Sequence, residues 1–305
     1  MKTLALVSAV ASTGRDDDLA PLMEACARAG LSVRSVAWDD ATISWSRFDA
    51  AVLRSPWDYT ERLTEFLAWS ERVAGRTVLI NPLQVVRWNT DKHYLAELQA
   101  AGVPVVPTTF VEPDAEPLES LRAFLASEPA AEFVVKPAIS AGSRDTQRYA
   151  RDHEFAAGNH LARLLEQGRS AMLQPYQASV DHHGESALIF FDGQFSHSIR
   201  KAAQLPADHA TAPTPYSSNG IDARAPDPEE LALAERILAA ARSAFELAQP
   251  LAYARIDLIR DEAGSPRLLE MELTEPSLFF AQAPGSADRF AAVLAGRVEL
   301  SAIGL

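Results

Sequence analysis

Cys26 is the only cysteine in the chain. That rules out an intramolecular disulfide and a cysteine-rich zinc site, and a reducing, cytoplasmic setting is the expectation. Cys26 falls in the apolar pattern Leu22, Met23, Ala25, Cys26, Ala29, so a small buried hydrophobe is expected there rather than a nucleophile. Long hydrophobic runs are missing too, which predicts no membrane-spanning segment. Met1-Lys2 runs straight into a short strand-like segment, without the apolar core or cleavage site of a signal peptide. There is no basic excess. Lys and Arg number 28 against 41 Asp and Glu, a net charge of -13, which argues against nucleic acid as a partner. Neither a Walker GxxxxGK[ST] motif nor GxGxxG occurs, so two common nucleotide cradles are excluded. No internal repeat or low-complexity tract is present. At 48% hydrophobic over 305 residues, the chain can bury cores for two or three modest domains or one large α/β unit.

The first third alternates strands and helices. Strands are expected at Leu4 to Ser8, Ser32 to Ala37, Ala50 to Leu53 and Val78 to Ile80. Helices are expected at Asp16 to Ala29 and about Thr60 to Ala74. This alternation predicts a parallel α/β sheet, whose functional loops lie at the carboxyl ends of its strands. One such loop holds Arg54, Ser55, Trp57, Asp58 and Tyr59. These residues either frame a small polar substrate or anchor a turn at Pro56.

A helix carrying Asp91, Lys92 and Tyr94 is expected next, stopped by Gly102 and Pro104, followed by an extended stretch from Val105 to Val111. Further on, a helix from about Leu118 to Ala126 precedes the strand Phe133-Val134-Val135-Lys136-Pro137, and the small-residue loop Ile139 to Arg144 follows. Ala171 to Gln174 reads as a strand breaking at Pro175. Asp192-Gly193 between Glu185 to Phe191 and Gln194 to Arg200 is a type I′ hairpin signal. Lys201 to Pro226 is long, polar and proline-broken, the pattern of a mobile loop. A helix from about Pro228 to Leu247 and a short C-terminal helix complete the chain.

The residues richest in chemistry lie in Tyr253 to Ile259 and Leu268 to Leu273. Charges occupy alternate positions in both runs: Arg255 and Asp257, then Glu270 and Glu272. Side chains alternate faces along a strand, so each pair shares a face. A hairpin turning at Ala263-Gly264 would set Asp257 opposite Glu270 and Arg255 opposite Glu272. Facing carboxylates repel unless something lies between them. A magnesium ion, which takes oxygen ligands and shares them with phosphates, suits three carboxylates on one face. Lys136 at a strand end and the Ser140, Gly142, Ser143 loop supply a point charge and close backbone N–H groups for phosphate oxygens.

Taken in order along the chain, these pieces resemble the ATP-grasp superfamily from the N-terminus to about Glu275. The resemblance implies an α/β and α+β ATP-grasp fold. It places an N-terminal parallel α/β domain at 1–86, a central ATP-grasp subdomain at 87–173 and a C-terminal subdomain with the metal site at 174–305. It also implies that Lys92, Lys136, Ser140, Gly142 and Ser143 contact ATP phosphates. Gln174, Pro175 and Tyr176 match the adenine-binding strand and hinge, and Asp181 matches the ribose-binding acid. Arg255 and Lys92 with Lys136 stand as the catalytic cations, and Asp257, Glu270 and Glu272 as Mg2+ ligands, where many members carry Asn at the last position.

The reaction type implied is an ATP- and Mg2+-dependent carboxylate–amine ligation through an acyl phosphate on a small amino-acid derivative. The Arg54 to Tyr59 loop and Glu270 to Leu278 further resemble the group containing the cycloserine-forming ligase, which cyclises O-ureido-D-serine. A small-molecule kinase and a non-catalytic ATP-binding protein are the competing readings. Glu185, His197, Arg200 together with Lys201, and Ser277 are candidate substrate contacts. Each has a plain alternative: a strand-edge acid, a buried hydrogen-bonded histidine, a solvated strand end and a turn serine. The expected partner is a small molecule, with no nucleic acid or membrane, and a homodimer is left open.

Overall fold

The computed structural model describes residues 1–203, 205 and 220–302. Its first layer is a parallel sheet of order β2-β1-β3-β4, built from β1 (Thr3–Ser8), β2 (Ser32–Ala37), β3 (Ala50–Ser55) and β4 (Val78–Ile80). The connecting helices are α1 (Leu19–Arg28) and α2 (Leu63–Ala74). β1 and β3 are apolar and buried almost throughout, as strands covered on both faces must be.

Two short helices follow, α3 (Leu83–Asn89) and α4 (Tyr94–Ala100). A second, antiparallel sheet of order β5-β8-β6-β7 joins β5 (Thr109–Val111), β6 (Glu132–Pro137), β7 (Gln147–Ala150) and β8 (Ala171–Pro175), backed by α5 (Pro117–Ser127) and α6 (Glu154–Glu166). After the one-turn α7 (Val180–His183) comes the largest sheet, β11-β10-β9-β12-β13. Its strands are β9 (Glu185–Phe191), β10 (Gln194–Lys201), β11 (Ile221–Ala223), β12 (Tyr253–Arg260) and β13 (Pro266–Glu272). Helices α8 (Pro228–Ala244) and α9 (Ser286–Ala302) complete the fold. A capping box holds the start of α8, with Asp227 and Glu230 bonding each other's backbone N–H groups.

The cores do not follow the order of the chain. One joins Leu4 and Val52 of the parallel sheet and Leu22 of α1 to Phe191, Tyr253 and Phe290. A second packs Tyr94 and Leu98 of α4 with Leu188, Ile237, Ile256 and Leu268. Residues 111–173 have a core of their own around Phe124, Phe133, Leu161 and Leu173.

Several expectations are corrected. Asp91 and Lys92 lie in a turn between α3 and α4, not inside a helix, because Asp91 bonds the His93 backbone N–H (3.1 Å) and ring (2.6 Å) in a local turn. Val105 to Val111 is a strand only from Thr109; before it, Val105 bridges to Leu268 and Pro107 interrupts. α1 begins at Leu19 rather than Asp16. β7, α6 and α7 are additions to the sequence reading, and the last helix is long rather than short. Most of the expected loop from Lys201 to Pro226 lies outside the described residues, although β11 falls within it. Among the described residues no helix is long and apolar enough to cross a membrane. The Asp192-Gly193 turn is as expected, with φ of 51° and 74°.

Buried side-chain amides fix the largest sheet to the elements before it. Asn81 donates to the carbonyls of Tyr253 and Leu273 and accepts the Ala252 N–H, each at 2.9 Å. Asn89 and the Tyr94 hydroxyl do the same for Leu273 and Met271, closing the edge of β13. Replacing Asn81 with Ala orphans three buried backbone groups. The substitution is expected to destabilise the fold by about 3 kcal/mol, read as a lower urea midpoint with an unchanged slope.

Candidate active site

The turn from β12 to β13 sets the pairing: Asp257 lies opposite Glu270 and Arg255 opposite Glu272, as the alternation of charges requires. Arg255 sits at the centre. Its Nε bonds both Asp257 oxygens (2.8 and 3.1 Å), Nη2 bonds Asp257 (2.8 Å) and Glu272, and Nη1 donates to the Ser277 carbonyl (3.2 Å). Lys201, from β10, bonds Asp257 (2.8 Å) and Glu185. The turn holding Lys92 directs its ammonium to Glu270 (3.0 Å) and to the Ser140 carbonyl (2.8 Å), while its backbone N–H bonds Ala138 (3.1 Å).

Lys136 completes the group. It is 8% exposed, and no hydrogen bond or ion pair holds its ammonium among the described residues. Burial pushes it down to about 8, with the charge of Lys92 adding to the effect against the pull of Glu270.

Five carboxylates (Glu185, Asp257, Glu270, Glu272, Glu275) thus share one buried region with four cations (Lys92, Lys136, Lys201, Arg255). Burial would raise Asp257, but Arg255 and Lys201 outweigh it and hold the carboxyl well below the usual range. Glu270 is lowered in the same way against burial, by Lys92 and Lys136. For Glu272 burial wins over Arg255, with Glu270 and Asp257 reinforcing it, and the carboxyl rises to about 8.

Among the described residues no three His, Cys, Asp or Glu side chains are gathered closely enough to cage a cation. Asp257, Glu270 and Glu272 are nevertheless hard oxygen donors, and their excess negative charge fits a divalent ion such as Mg2+.

The small-residue loop turns back at Gly142 and Ser143, both left-handed (φ 62° and 57°), which brings Ser140 under Lys92 and Arg144 onto Glu61. Gln174 and Pro175 end β8, with Gln174 bonded to Thr108 (2.8 Å). Two adenosine-side candidates already have protein partners. The Tyr176 N–H is taken by the Glu132 carbonyl (2.9 Å). The Asp181 carboxylate accepts from Arg148 (3.2 Å) and the Tyr176 hydroxyl (2.5 Å). Arg148, stacked over the Tyr176 ring at 3.6 Å, escaped the sequence reading because β7 did.

The substrate candidates divide. Arg54 is 0% exposed, donates to the Pro276 carbonyl (3.0 Å) and lies 3.9 Å from Asp18, too enclosed to meet a substrate. Ser55 is buried against Ser8 (3.1 Å), Trp57 donates to the Glu275 carbonyl (3.2 Å), and Asp58 faces Trp38 (2.8 Å) and Arg62. Only Tyr59 of that loop turns toward the charged group, its hydroxyl against the Glu275 carboxyl. His197 is a buried tie, bonded to the Leu278 carbonyl (2.7 Å) and Ser196 (2.9 Å). Arg200 bonds the carbonyls of His183 (2.6 Å) and His182 (2.9 Å), while its neighbour Lys201 takes the inward position. Glu185 faces inward, and Ser277 contributes its carbonyl.

Glu275 is the site member the sequence reading left out, whereas Lys201 was a candidate together with Arg200. Strand alternation from His197 and Ile199 singles out Lys201. Glu275 lies beyond the end of β13, where alternation carries no information.

A family model described as D-cycloserine synthetase DcsG, N-terminal domain, matches residues 4–81. The chain is 48% identical over 300 residues to the cycloserine biosynthesis protein DcsG of Streptomyces lavendulae, covering 98% of this chain and 100% of that one. It superposes on the crystal structure of D-cycloserine synthetase DcsG with a TM-score of 0.93 at 48% identity, covering 97% and 99% of the two chains. It also superposes on the ATP-grasp ligase PsnB, in complex with its precursor peptide and AMPPNP, with a TM-score of 0.63 at 17% identity, covering 97% and 98%. With this likeness along nearly its whole length, the chain belongs to the D-cycloserine synthetase DcsG family, ligases built on the ATP-grasp fold.

Proposed function

We propose that the chain is an ATP- and Mg2+-dependent cyclo-ligase that converts O-ureido-D-serine to D-cycloserine through an acyl phosphate. The observation that carries the nucleotide part is Lys136, a buried ammonium beside Lys92 with no hydrogen bond or ion pair among the described residues. A buried cation in that state calls for an anion, and a polyphosphate supplies one of the right charge. The family supports the substrate.

Lys92 and Lys136 hold the phosphates. Arg255, fixed on both sides by Asp257 and Glu272, presents a rigid planar charge to the phosphoryl group as it passes to the substrate carboxylate. Asp257, Glu270 and Glu272 would hold Mg2+, which when bound neutralises phosphate charge. The activated carbonyl is then attacked by a nitrogen of the same molecule, closing the ring and releasing phosphate. The carbamoyl group on that nitrogen is lost with one water, as carbon dioxide and ammonia.

Three measurements test these assignments. With ATP, Mg2+ and O-ureido-D-serine, phosphate should appear together with a cyclised product by mass spectrometry, and D-alanine, D-serine and common L-amino acids should give neither. Phosphate retained on the product would instead mark a kinase, and activity on another amino-acid pair would replace the substrate.

Arg255→Lys keeps the charge but loses the planar fork. It should lower kcat by about a hundredfold or more while changing the ATP dissociation constant by less than about threefold. Equal loss of both would assign Arg255 to binding.

The third test is pH. Glu272 rises to about 8, and a ligand carboxyl must be ionised, so Mg2+ displaces a proton and its affinity should increase from pH 7 to 9. Calorimetry in buffers of different ionisation enthalpy reads the proton directly; a flat profile removes Glu272 from the ligand set.

A further inference from the structure

Glu275 differs from every other carboxylate in the charged group. Asp257 is bonded by Arg255 and Lys201, Glu270 by Lys92, Glu272 by Arg255 and Glu185 by Lys201. Among the described residues no lysine or arginine makes an ion pair with Glu275, although the side chain is 7% exposed; its polar neighbour is the neutral Tyr59 hydroxyl. A carboxylate clamped by a cation resists protonation, because taking the proton breaks the pair. Glu275 has no such clamp.

Its position suits proton transfer. The backbone around it is anchored on the N-terminal side: Trp57 donates to the Glu275 carbonyl and Arg54 to that of Pro276. Its carboxyl nevertheless lies within electrostatic range of Lys92, Glu270 and Arg255. Nitrogen attack on an acyl phosphate leaves a proton on the nitrogen that has to go to a base beside the reacting carbonyl.

We propose that Glu275 is the general base of ring closure and that Tyr59 orients it. As the N–C bond forms, the C–O bond to phosphate breaks, phosphate leaves with the bonding pair, and the nitrogen's proton passes to the Glu275 carboxylate. This rests on the ligase reading above. The groups facing Glu275 are Tyr59 from the turn after β3, Lys92 from the α3–α4 turn, Arg255 from β12 and Glu270 from β13. Burial is the largest influence on the carboxyl and raises it to about 7, so a substantial ionised fraction exists at neutral pH to accept a proton.

The experiment compares wild type and Glu275→Gln with ATP, Mg2+ and O-ureido-D-serine, following ring product and positional isotope exchange in bridge-labelled ATP. Exchange reports reversible phosphorylation of the carboxylate, the step before the base acts. Glu275→Gln should lose product by about a hundredfold or more and keep substrate-dependent exchange. Formate added to Glu275→Ala should restore part of the product rate without altering exchange.

Product formed by Glu275→Gln at near the wild-type rate would overturn the proposal, and so would product and exchange falling together. If Glu275→Gln does not fold, Tyr59→Phe decides. A product rate reduced by about tenfold with exchange intact supports the proposal, and an unchanged rate removes Tyr59 and the oriented base with it. Absence of both product and exchange in the wild-type enzyme would instead sink the ligase reading.

Discussion

Four cations and five carboxylates buried in one place are the constraint that orders this molecule. Charges removed from water are costly unless a partner of opposite sign holds them, and most of this group have one, with Lys136 and Glu275 the exceptions among the described residues. That requirement fixes the register of β12 against β13, because a slip of one residue would turn Arg255, Asp257, Glu270 and Glu272 to the opposite face. It also explains why the partners come from so many elements. Lys92 arrives from the α3–α4 turn, Lys136 from β6 and Lys201 from β10. No single sheet could supply four cations to one face without leaving like charges as cross-strand neighbours.

The segment after β13 keeps the parallel sheet in contact with this group. Asp18 accepts the N–H groups of Leu278, Phe279 and Phe280 at 2.6, 3.1 and 2.9 Å. Arg54, Trp57 and His197 bond carbonyls of the same stretch, and Arg255 bonds that of Ser277. Several residues that look like substrate ligands in the sequence are therefore the means by which an irregular backbone is kept satisfied away from water. A guanidinium or an imidazole suits that work as well as it suits a substrate, and residue type alone does not separate the two.

What the sequence disclosed follows from periodicity. The hairpin pairing of Asp257 with Glu270, the parallel sheet and the Asp192-Gly193 turn each rest on a local pattern, and each is found in the structure. Lys136 was legible as a cation at a strand end and Lys92 through the ATP-grasp resemblance, and the structure brings both near Glu270. What was hidden depends on contacts across distant stretches. Asp18 falls within the helix expected from Asp16 to Ala29 but its carboxylate holds residues 278–280. Asp181 reads as a free acid but is held by Arg148 from a strand whose pattern was too weak to notice. Glu275 lies on no regular element, so no period could assign its side.

The separate core of residues 111–173 has a mechanical consequence. Packed interiors move as blocks, so a change of shape is taken up between cores and not within them. The parallel sheet and the largest sheet share interior residues, whereas the sheet of β5 to β8 has a core of its own and joins the largest sheet through Met172 and Ala138. Lys136 rides on the sheet of β5 to β8, Glu270 and Arg255 on the largest sheet and Lys92 on the α3–α4 turn. A polyphosphate gripped by both lysines would span the junction between the two cores, and its release would then depend on how readily that junction gives.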